Sequence, residues 1–214
     1  IYIYTDKKTN CCNNINCEYM EVIIDNYENI NKIADKCNII TYDYESYSID
    51  IFSNNNKKKI FPSATILEII QDKYKQKMYM LNNNINTPKF TYINSYDDII
   101  NFINIHNYPV FLKNRKGSFD GRGNYLIKNK NDLENYKNIK PNIYIIEEYI
   151  EFNKEVSLIG CINSNNEFVY YDIVENKHKN SILVETIFPD KNISLNIKNN
   201  LITIFKSIVD LFNT

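Results

Sequence analysis

Short apolar runs separated by a helical pattern dominate the first part of the chain. The runs at residues 1–4, 20–24 and 37–42 predict three strands. Between the second and the third, Asp25 is followed three residues later by Glu28, which predicts a capped helix. Since strands that alternate with helices are typical of parallel sheets, residues 1–70 are predicted to form a Rossmann-like domain.

A different pattern follows in the rest of the chain. Ser63 predicts the start of a helix that continues through residues 71–77. Thr87-Pro88 interrupts the pattern and indicates a boundary, after which strands are predicted at 90–93, 109–113, 124–127 and 142–147. Ser95 and Asp98 predict a capped helix after the first of these strands. Runs at 155–162, 168–173 and 182–189 predict an antiparallel sheet, and the apolar face of residues 197–212 predicts a final helix.

The segment between the strands at 109–113 and 124–127 has an unusual composition. The chain has four glycines, and three of them, Gly117, Gly121 and Gly123, lie here with its two arginines, Arg115 and Arg122. Glycine lets backbone N–H groups come close to a ligand, and the arginine fork fits phosphate or carboxylate oxygens. The segment therefore predicts a loop that covers phosphates. An ordinary hairpin turn with a solvated basic rim explains the same residues equally well.

Charge and cysteine content narrow the classes of function. A formal net charge of -1 and a sequence pI near 6.2 argue against a general nucleic-acid binder. No apolar run approaches the roughly 20 residues of a membrane helix, and no secretory signal is visible. Five cysteines without regular spacing suggest a reducing cytoplasm; metal binding by Cys11, Cys12 and Cys17 is disfavoured because no histidine is close. The asparagine-rich residues 54–59 are interpreted as loop padding.

Candidate nucleotide contacts follow from the predicted strands. Lys113 ends an apolar strand just before the glycine segment and can neutralise phosphates, since a lysine in such a strand is rarely buried without a partner. The backbone after Glu147 can contact an adenine edge, and Glu155 can accept hydrogen bonds from ribose hydroxyls. His178 follows in the segment 174–178, although a lone histidine is more often structural. Together these residues predict an ATP site between two sheets.

These motifs, in this order, resemble those of the 5-(carboxyamino)imidazole ribonucleotide synthases of the ATP-grasp family. Residues 37–45 are similar to the family's CDVVTYEFE strand, residues 71–77 to its QDRLTQK helix, and Thr87-Pro88 to its threonine–proline boundary. Residues 117–124 are similar to GGYDGRGQ, 155–158 to EVSL and 175–178 to ENxH. The resemblance extends over essentially the whole chain. The family has arginine, glycine, tyrosine and glutamine where this chain has Lys73, Ser118, Phe119 and Asn124.

The resemblance implies a set of ATP contacts. Lys73 and Lys113 would contact phosphates, Glu155 would bind ribose, and His178 would lie near the reacting groups. The loop that closes over the phosphates would comprise Ser118, Phe119, Asp120, Gly121, Arg122, Gly123 and Asn124. The adenine-binding segment would comprise Glu147, Glu148, Tyr149 and Ile150. The residues implied to act in catalysis are Asp120, Arg122 and His178.

The resemblance also implies a fold and a reaction. The fold is α/β: a truncated Rossmann-like, pre-ATP-grasp domain at 1–70 and an incomplete ATP-grasp domain at 71–214, with a small lid subdomain at about 88–147. The reaction is the ATP-dependent carboxylation of 5-aminoimidazole ribonucleotide with bicarbonate in purine biosynthesis, by a cytoplasmic ligase that is a homodimer at full length. Another ATP-grasp carboxylate–amine ligase and a non-catalytic nucleotide-binding module are the alternatives.

Two parts of the family pattern are expected outside this sequence. They are a glycine-rich turn before Ile1 and the glutamates that hold Mg2+, which are expected beyond Thr214. The chain is therefore expected to be a fragment with no metal ligands of its own, which binds adenine nucleotide without catalysing carboxylation.

Overall fold

The computed structural model describes residues 2–5, 18–21, 27–42, 46–118, 123–163, 165–179 and 181–212. The predicted site residues Phe119, Asp120, Gly121 and Arg122 lie outside the described residues, as do Cys11, Cys12, Cys17 and Asp25. The chain divides into two compact units, Ile1–Gln71 and Asp72–Thr214. Of the helices in the described ranges, none combines the length and apolar character needed to span a bilayer.

Helices and strands are numbered separately along the chain. The described helices are α1 (Tyr27–Ala34), α2 (Asn54–Lys57), α3 (Ala64–Ile70), α4 (Lys73–Asn82), α5 (Tyr96–His106), α6 (Lys130–Leu133) and α7 (Leu195–Phe212). The described strands are β1 (Tyr2–Thr5), β2 (Glu18–Glu21), β3 (Phe90–Ile93), β4 (Val110–Asn114), β5 (Asn124–Ile127), β6 (Tyr144–Glu148), β7 (Glu155–Ser157), β8 (Gly160–Ile162), β9 (Phe168–Tyr170), β10 (Val174–Lys179) and β11 (Ile182–Ile187). Helices and sheets are mixed in both units, which confirms the predicted α/β class.

The first unit contains a short parallel pair of strands, β1 and β2, as the alternating pattern predicts. The described β2 begins two residues before the predicted strand at 20–24, and residues 22–24 of that predicted strand lie outside the described residues. The predicted third strand at 37–42 is wrong, because its described contribution to a sheet is one isolated parallel bridge between Ile40 and Ile60. Ile39 is 68% exposed. The run therefore has no buried face that would extend the pairing.

The asparagine-rich residues 54–59 are not loop padding. They contain α2, which begins after an N-cap at Ser53. Asn56 is completely buried, and its side-chain amide donates to Asn31 Oδ1 and Asp35 Oδ1, each at 2.9 Å. Buried polar side chains are mostly hydrogen-bonded, and these two bonds tie α2 to the end of α1.

The helix predicted to run from Ser63 through residue 77 is two helices. Ser63 caps α3 as predicted, with its hydroxyl accepting from the Ile66 N–H at 3.4 Å. The chain then leaves the helical conformation at Asp72, whose side chain caps α4 by accepting from the Tyr74 N–H at 2.9 Å. An aspartate competes for backbone N–H groups better as a cap than within a helix, which explains the break.

The second unit begins with a four-stranded antiparallel sheet in the order β3-β6-β4-β5. Helix α5 covers one face, and Ser95 and Asp98 form the predicted capping box at its start. The core between them consists of Ile93, Ile99, Phe102, Ile103, Val110, Leu112, Ile127, Leu133 and Ile146. Both β4 and β6 occupy nearly the predicted residues, because each contains a short continuous run of apolar residues.

The three-stranded sheet after residue 155 is formed by a different set of strands from the one predicted. Residues 155–162 form two strands, β7 and β8, which belong to different sheets. The order of the three-stranded sheet is β11-β10-β7, and β8 pairs with β9 in a separate hairpin. The central strand β10 was not predicted, because its sequence VENKHK carries one apolar residue and no alternation.

The fourth glycine, Gly160, allows a close approach of backbone in the β8–β9 hairpin. A Cβ at this position would lie 2.5 Å from the Val169 carbonyl oxygen and 2.9 Å from Phe205 in α7. The Phe205 ring packs against Phe168 of β9 with centroids 5.0 Å apart. The predicted C-terminal helix is therefore present as α7 and packs on this hairpin.

Candidate functional site

The candidate site lies on the face of the four-stranded sheet opposite α5. Side chains alternate along a strand, so the buried Leu112 faces the core while Phe111 and Lys113 face away from it. On β6, Glu147 lies opposite Phe111, and the same residue lies opposite Phe90 of β3. Lys113 is thus a diagonal neighbour of Glu147 on this face, within reach of a long side chain.

Glu147 is the centre of an ion cluster. Its residue is 3% exposed, and its carboxylate pairs with Lys113 from β4 and with Lys77 from α4, whose Nζ lies 2.6 Å from Oε2. Burial by itself would raise the pKa of Glu147, but the positive charges of Lys113 and Lys77 bring this pKa below its ordinary value. The carboxylate is therefore ionised at neutral pH, although the predicted role of Glu147 was mainly through its backbone.

A second buried ion pair fixes α4 against the sheet. Arg115, directly after β4, donates to Asp72 through Nε at 3.1 Å and Nη2 at 2.7 Å. The Lys73 N–H donates to the Arg115 carbonyl oxygen at 2.9 Å. The guanidinium also lies 5.4 Å from the centre of the Tyr74 ring. Arg115 thus has a structural role, in addition to lying in the glycine segment that was predicted to cover phosphates.

The described ends of the glycine loop have the backbone that glycine favours. Gly117 has φ +66° and Gly123 has φ +75°. A Cβ on Gly123 would lie 2.8 Å from both Asn114 Nδ2 and the Ser118 Cβ, so no larger residue fits there without movement. Lys73, from α4, donates to Ser118 Oγ at 2.7 Å. The structure therefore brings together Lys73 and Ser118, which the sequence placed at one site.

Two buried acceptors at the base of the loop have no hydrogen-bond donor among the described residues. They are the side-chain oxygens of Asn114 and Asn124, the residues that end β4 and begin β5. A buried acceptor without a donor is destabilising unless a ligand or water pairs with it. These oxygens, the glycine backbone and the nearby lysines fit a polar ligand that occupies the loop.

The predicted adenine segment follows β6. Glu148 is held by Lys89, whose backbone N–H donates to Glu148 Oε1 at 2.8 Å. Tyr149 stacks on Phe111 with ring centroids 5.8 Å apart and an interplanar angle of 24°. Ile150 is 45% exposed. The segment therefore offers a flat aromatic surface beside Lys113 and Glu147, which suits a planar ring.

The remaining predicted residues lie on the three-stranded sheet. Glu155 of β7 and His178 of β10 approach each other, with 3.5 Å between Glu155 Oε1 and His178 Nδ1. On the same two strands, Asn176 donates to Ser157 Oγ at 2.6 Å. The sheet brings these two predicted residues together because β7 and β10 are antiparallel neighbours.

Three residues of the site were missed by sequence reasoning: Asp72, Lys77 and Lys154. A signal for Lys77 was available, because residues four apart lie on one helix face and Lys73 precedes it by four. Lys154 pairs with Glu175 at 2.8 Å and Asp190 at 2.9 Å. Hydrogen bonds from Lys154 to these two carboxylates raise its pKa.

Within the described ranges, no group of three or more histidine, cysteine, aspartate or glutamate residues could hold a metal ion.

Comparisons with known proteins identify related sequences. A sequence model described as the ATP-grasp domain matches residues 78–214. The chain is 27% identical over 212 residues to the N5-carboxyaminoimidazole ribonucleotide synthase of Staphylococcus saprophyticus, covering 96% of this chain and 56% of that protein. It is 30% identical over 190 residues to the synthase of the same name from Staphylococcus aureus strain COL, covering 87% of this chain and 51% of that protein.

Solved structures show the same fold. The Staphylococcus aureus N5-carboxyaminoimidazole synthetase complexed with ADP superposes with a TM-score of 0.85 at 26% identity, over 97% of this chain and 56% of that one. The Thermus thermophilus synthetase superposes with a TM-score of 0.86 at 20% identity, over 99% of this chain and 57% of that one. The chain spans about half the length of the curated relatives that it matches. Because the ATP-grasp model matches residues 78–214, which is more than half of the chain, the chain belongs to the ATP-grasp family.

Proposed function

We propose that the unit Asp72–Thr214 binds ATP as the nucleotide-binding part of a 5-(carboxyamino)imidazole ribonucleotide synthase. The observation that carries the proposal is the set of cations around the glycine loop. Lys113 precedes the loop on the face of the sheet opposite α5, and Lys73 donates to Ser118 within the loop at 2.7 Å. Lysines beside a glycine backbone with positive φ are suited to the oxygens of a polyphosphate.

The proposed residue roles follow the geometry of the two sheets. Lys73 and Lys113 contact phosphate oxygens, and the loop from Ser118 to Asn124 covers them. Adenine lies against the segment from Glu147 to Ile150, where Tyr149 and Phe111 supply aromatic surface. Glu155 accepts the ribose hydroxyls. His178, which is 3.5 Å from Glu155, lies near the reacting groups with Asp120 and Arg122.

In the proposed reaction, a bicarbonate oxygen attacks the γ-phosphorus of ATP, and the bond to the β-phosphate oxygen breaks to release ADP. The carboxyphosphate formed then loses phosphate as its carboxyl carbon bonds to the exocyclic amine of 5-aminoimidazole ribonucleotide, which gives up a proton. The lysines offset charge on the transferring group. When bound, Mg2+ supplies further charge neutralisation between phosphates, but the described residues do not fit a metal site, so none of these steps is assigned to one. The proposal includes a cytoplasmic homodimer at full length, in keeping with the resemblance.

ADP release by the full-length protein separates this proposal from its alternatives, because this chain alone is expected to bind ATP without catalysing carboxylation. With Mg2+ and ATP present, release that requires both 5-aminoimidazole ribonucleotide and bicarbonate supports the synthase reaction. Release that requires another carboxylate and amine pair identifies a different ATP-grasp ligase. ATP binding without release on any such pair identifies a nucleotide-binding module.

A further inference from the structure

The two lysines that pair with Glu147 differ in how firmly they are held. Lys77 has 16% of its side chain exposed and also donates to Thr87 Oγ1 at 3.1 Å. Its ammonium group lies 5.5 Å from the centre of the Phe90 ring. Lys113 is more exposed, at 24%, and its other described contact is the Phe111 ring, 5.3 Å from Nζ. Lys77 is therefore the fixed partner, and Lys113 is the one that can turn.

The charges in this cluster do not balance. Two ammonium groups share one carboxylate, so the cluster carries one positive charge in excess of neutrality. If Lys113 turns toward an anionic ligand, Glu147 and Lys77 remain as a neutral pair. Without Lys77, the same movement would leave a 3% exposed carboxylate with no cation, which is strongly unfavourable.

We propose that Lys77 is a positioning residue that keeps Glu147 paired and thereby frees Lys113 to contact the phosphates of bound nucleotide. This inference rests on the proposed function, because it needs a phosphate ligand at Lys113. In it, Lys77 touches no phosphate. It acts through Glu147, and its effect depends on the negative charge of that carboxylate.

The test compares ATP with adenosine, which has no phosphates, by calorimetry on the whole chain. Lys77→Met keeps the apolar stem and removes the charge. The dissociation constant for ATP should rise about tenfold, which corresponds to about 1.4 kcal/mol, whereas that for adenosine should stay within about twofold. Lys77→Arg should restore ATP binding. Lys75→Met removes an exposed lysine from the same helix and serves as the matched control.

The double variant Lys77→Met/Glu147→Gln separates positioning from direct contact. In the Glu147→Gln background, Lys77→Met should leave the ratio of the ATP affinity to the adenosine affinity unchanged, because no buried carboxylate competes with the phosphates for Lys113. This comparison also decides the matter if Lys77→Met alone fails to fold. A tenfold loss that persists in this background, or equal losses for ATP and adenosine, would overturn the inference.

Failure of the inference and failure of the proposed function give different results. If the wild-type chain binds no ATP, the proposed function is wrong and the inference falls with it. If the wild-type chain binds ATP and Lys77→Met binds it equally well, only the role of Lys77 is wrong.

Discussion

The ion pair between Asp72 and Arg115 is expected to be a major source of stability in the second unit. Asp72 is 1% exposed, and it accepts two hydrogen bonds from Arg115 as well as the Tyr74 N–H. Arg115→Met keeps most of the apolar stem but leaves the buried carboxylate without its cation. The loss should therefore exceed that of a surface ion pair.

The size of the effect follows from burial. Removing one partner of a buried ion pair costs about 3–5 kcal/mol. The Arg115 side chain keeps 20% exposure and the α4 amides still donate to Asp72, so we expect a loss of about 2–3 kcal/mol in unfolding free energy. Asp72→Ser/Arg115→Met should be more stable than Arg115→Met alone, because serine keeps the helix cap and removes the charge.

The effect should depend on pH. Burial would raise the pKa of Asp72, but hydrogen bonds and charge from Arg115, with the α4 N–H groups, lower it below its ordinary value of 3.8. Because the pKa of Asp72 is lower in the folded than in the unfolded protein, its ionised form stabilises the fold at pH values above the unfolded-state pKa. This stabilisation is lost as the pH falls through the folded-state pKa. Urea unfolding followed by circular dichroism should show that the wild type has a larger unfolding free energy than Arg115→Met at pH 7, and that this difference shrinks below about pH 4. A difference in unfolding free energy under about 0.5 kcal/mol, or one that does not depend on pH, would refute this role for the ion pair.

Two glycine positions give further predictions. Gly160→Ala should destabilise the second unit by about 1–3 kcal/mol, because its Cβ would lie 2.5 Å from the Val169 carbonyl oxygen; an unchanged thermal midpoint would contradict this. Gly123→Ala should destabilise by about 1–3 kcal/mol, since positive φ and contact with Asn114 both oppose a Cβ. Gly117→Ala is the matched control, because Gly117 also has positive φ but its Cβ would have no described atom within 4 Å. Equal losses in the two variants would show that the contact with Asn114 is unimportant.

Local signals predicted much of the fold. Ser63 and Ser95 each accept a hydrogen bond from a backbone N–H three residues later. Because both partners are close in sequence, the starts of α3 and α5 could be predicted from the sequence alone. The strands β4 and β6 follow from short continuous runs of apolar residues. The cap at Asp72 was equally local, but the pattern after Ser63 was interpreted as one continuous helix and the break was missed.

Long-range pairing explains what the sequence did not reveal. Strand β10 is polar and is specified by its neighbours β7 and β11. Asn56 is buried because residues more than 20 positions away accept its hydrogen bonds. At the candidate site, Lys113 and Glu155 were singled out, but the buried charge of Glu147 requires Lys77 and Lys113 from separate elements. Such pairing has no signature in a single sequence.

Binding of ATP to this chain, measured by titration calorimetry with the wild type, Lys113→Ala and Lys128→Ala, tests the central claim most directly. Lys113 lies on the face of the sheet opposite α5, beside the glycine loop, whereas Lys128 is exposed just after β5. The account predicts that the wild type and Lys128→Ala bind ATP equally and that Lys113→Ala loses about 1.5–3 kcal/mol of binding free energy. Equal ATP affinity in all three proteins, or no binding by the wild type, would contradict it.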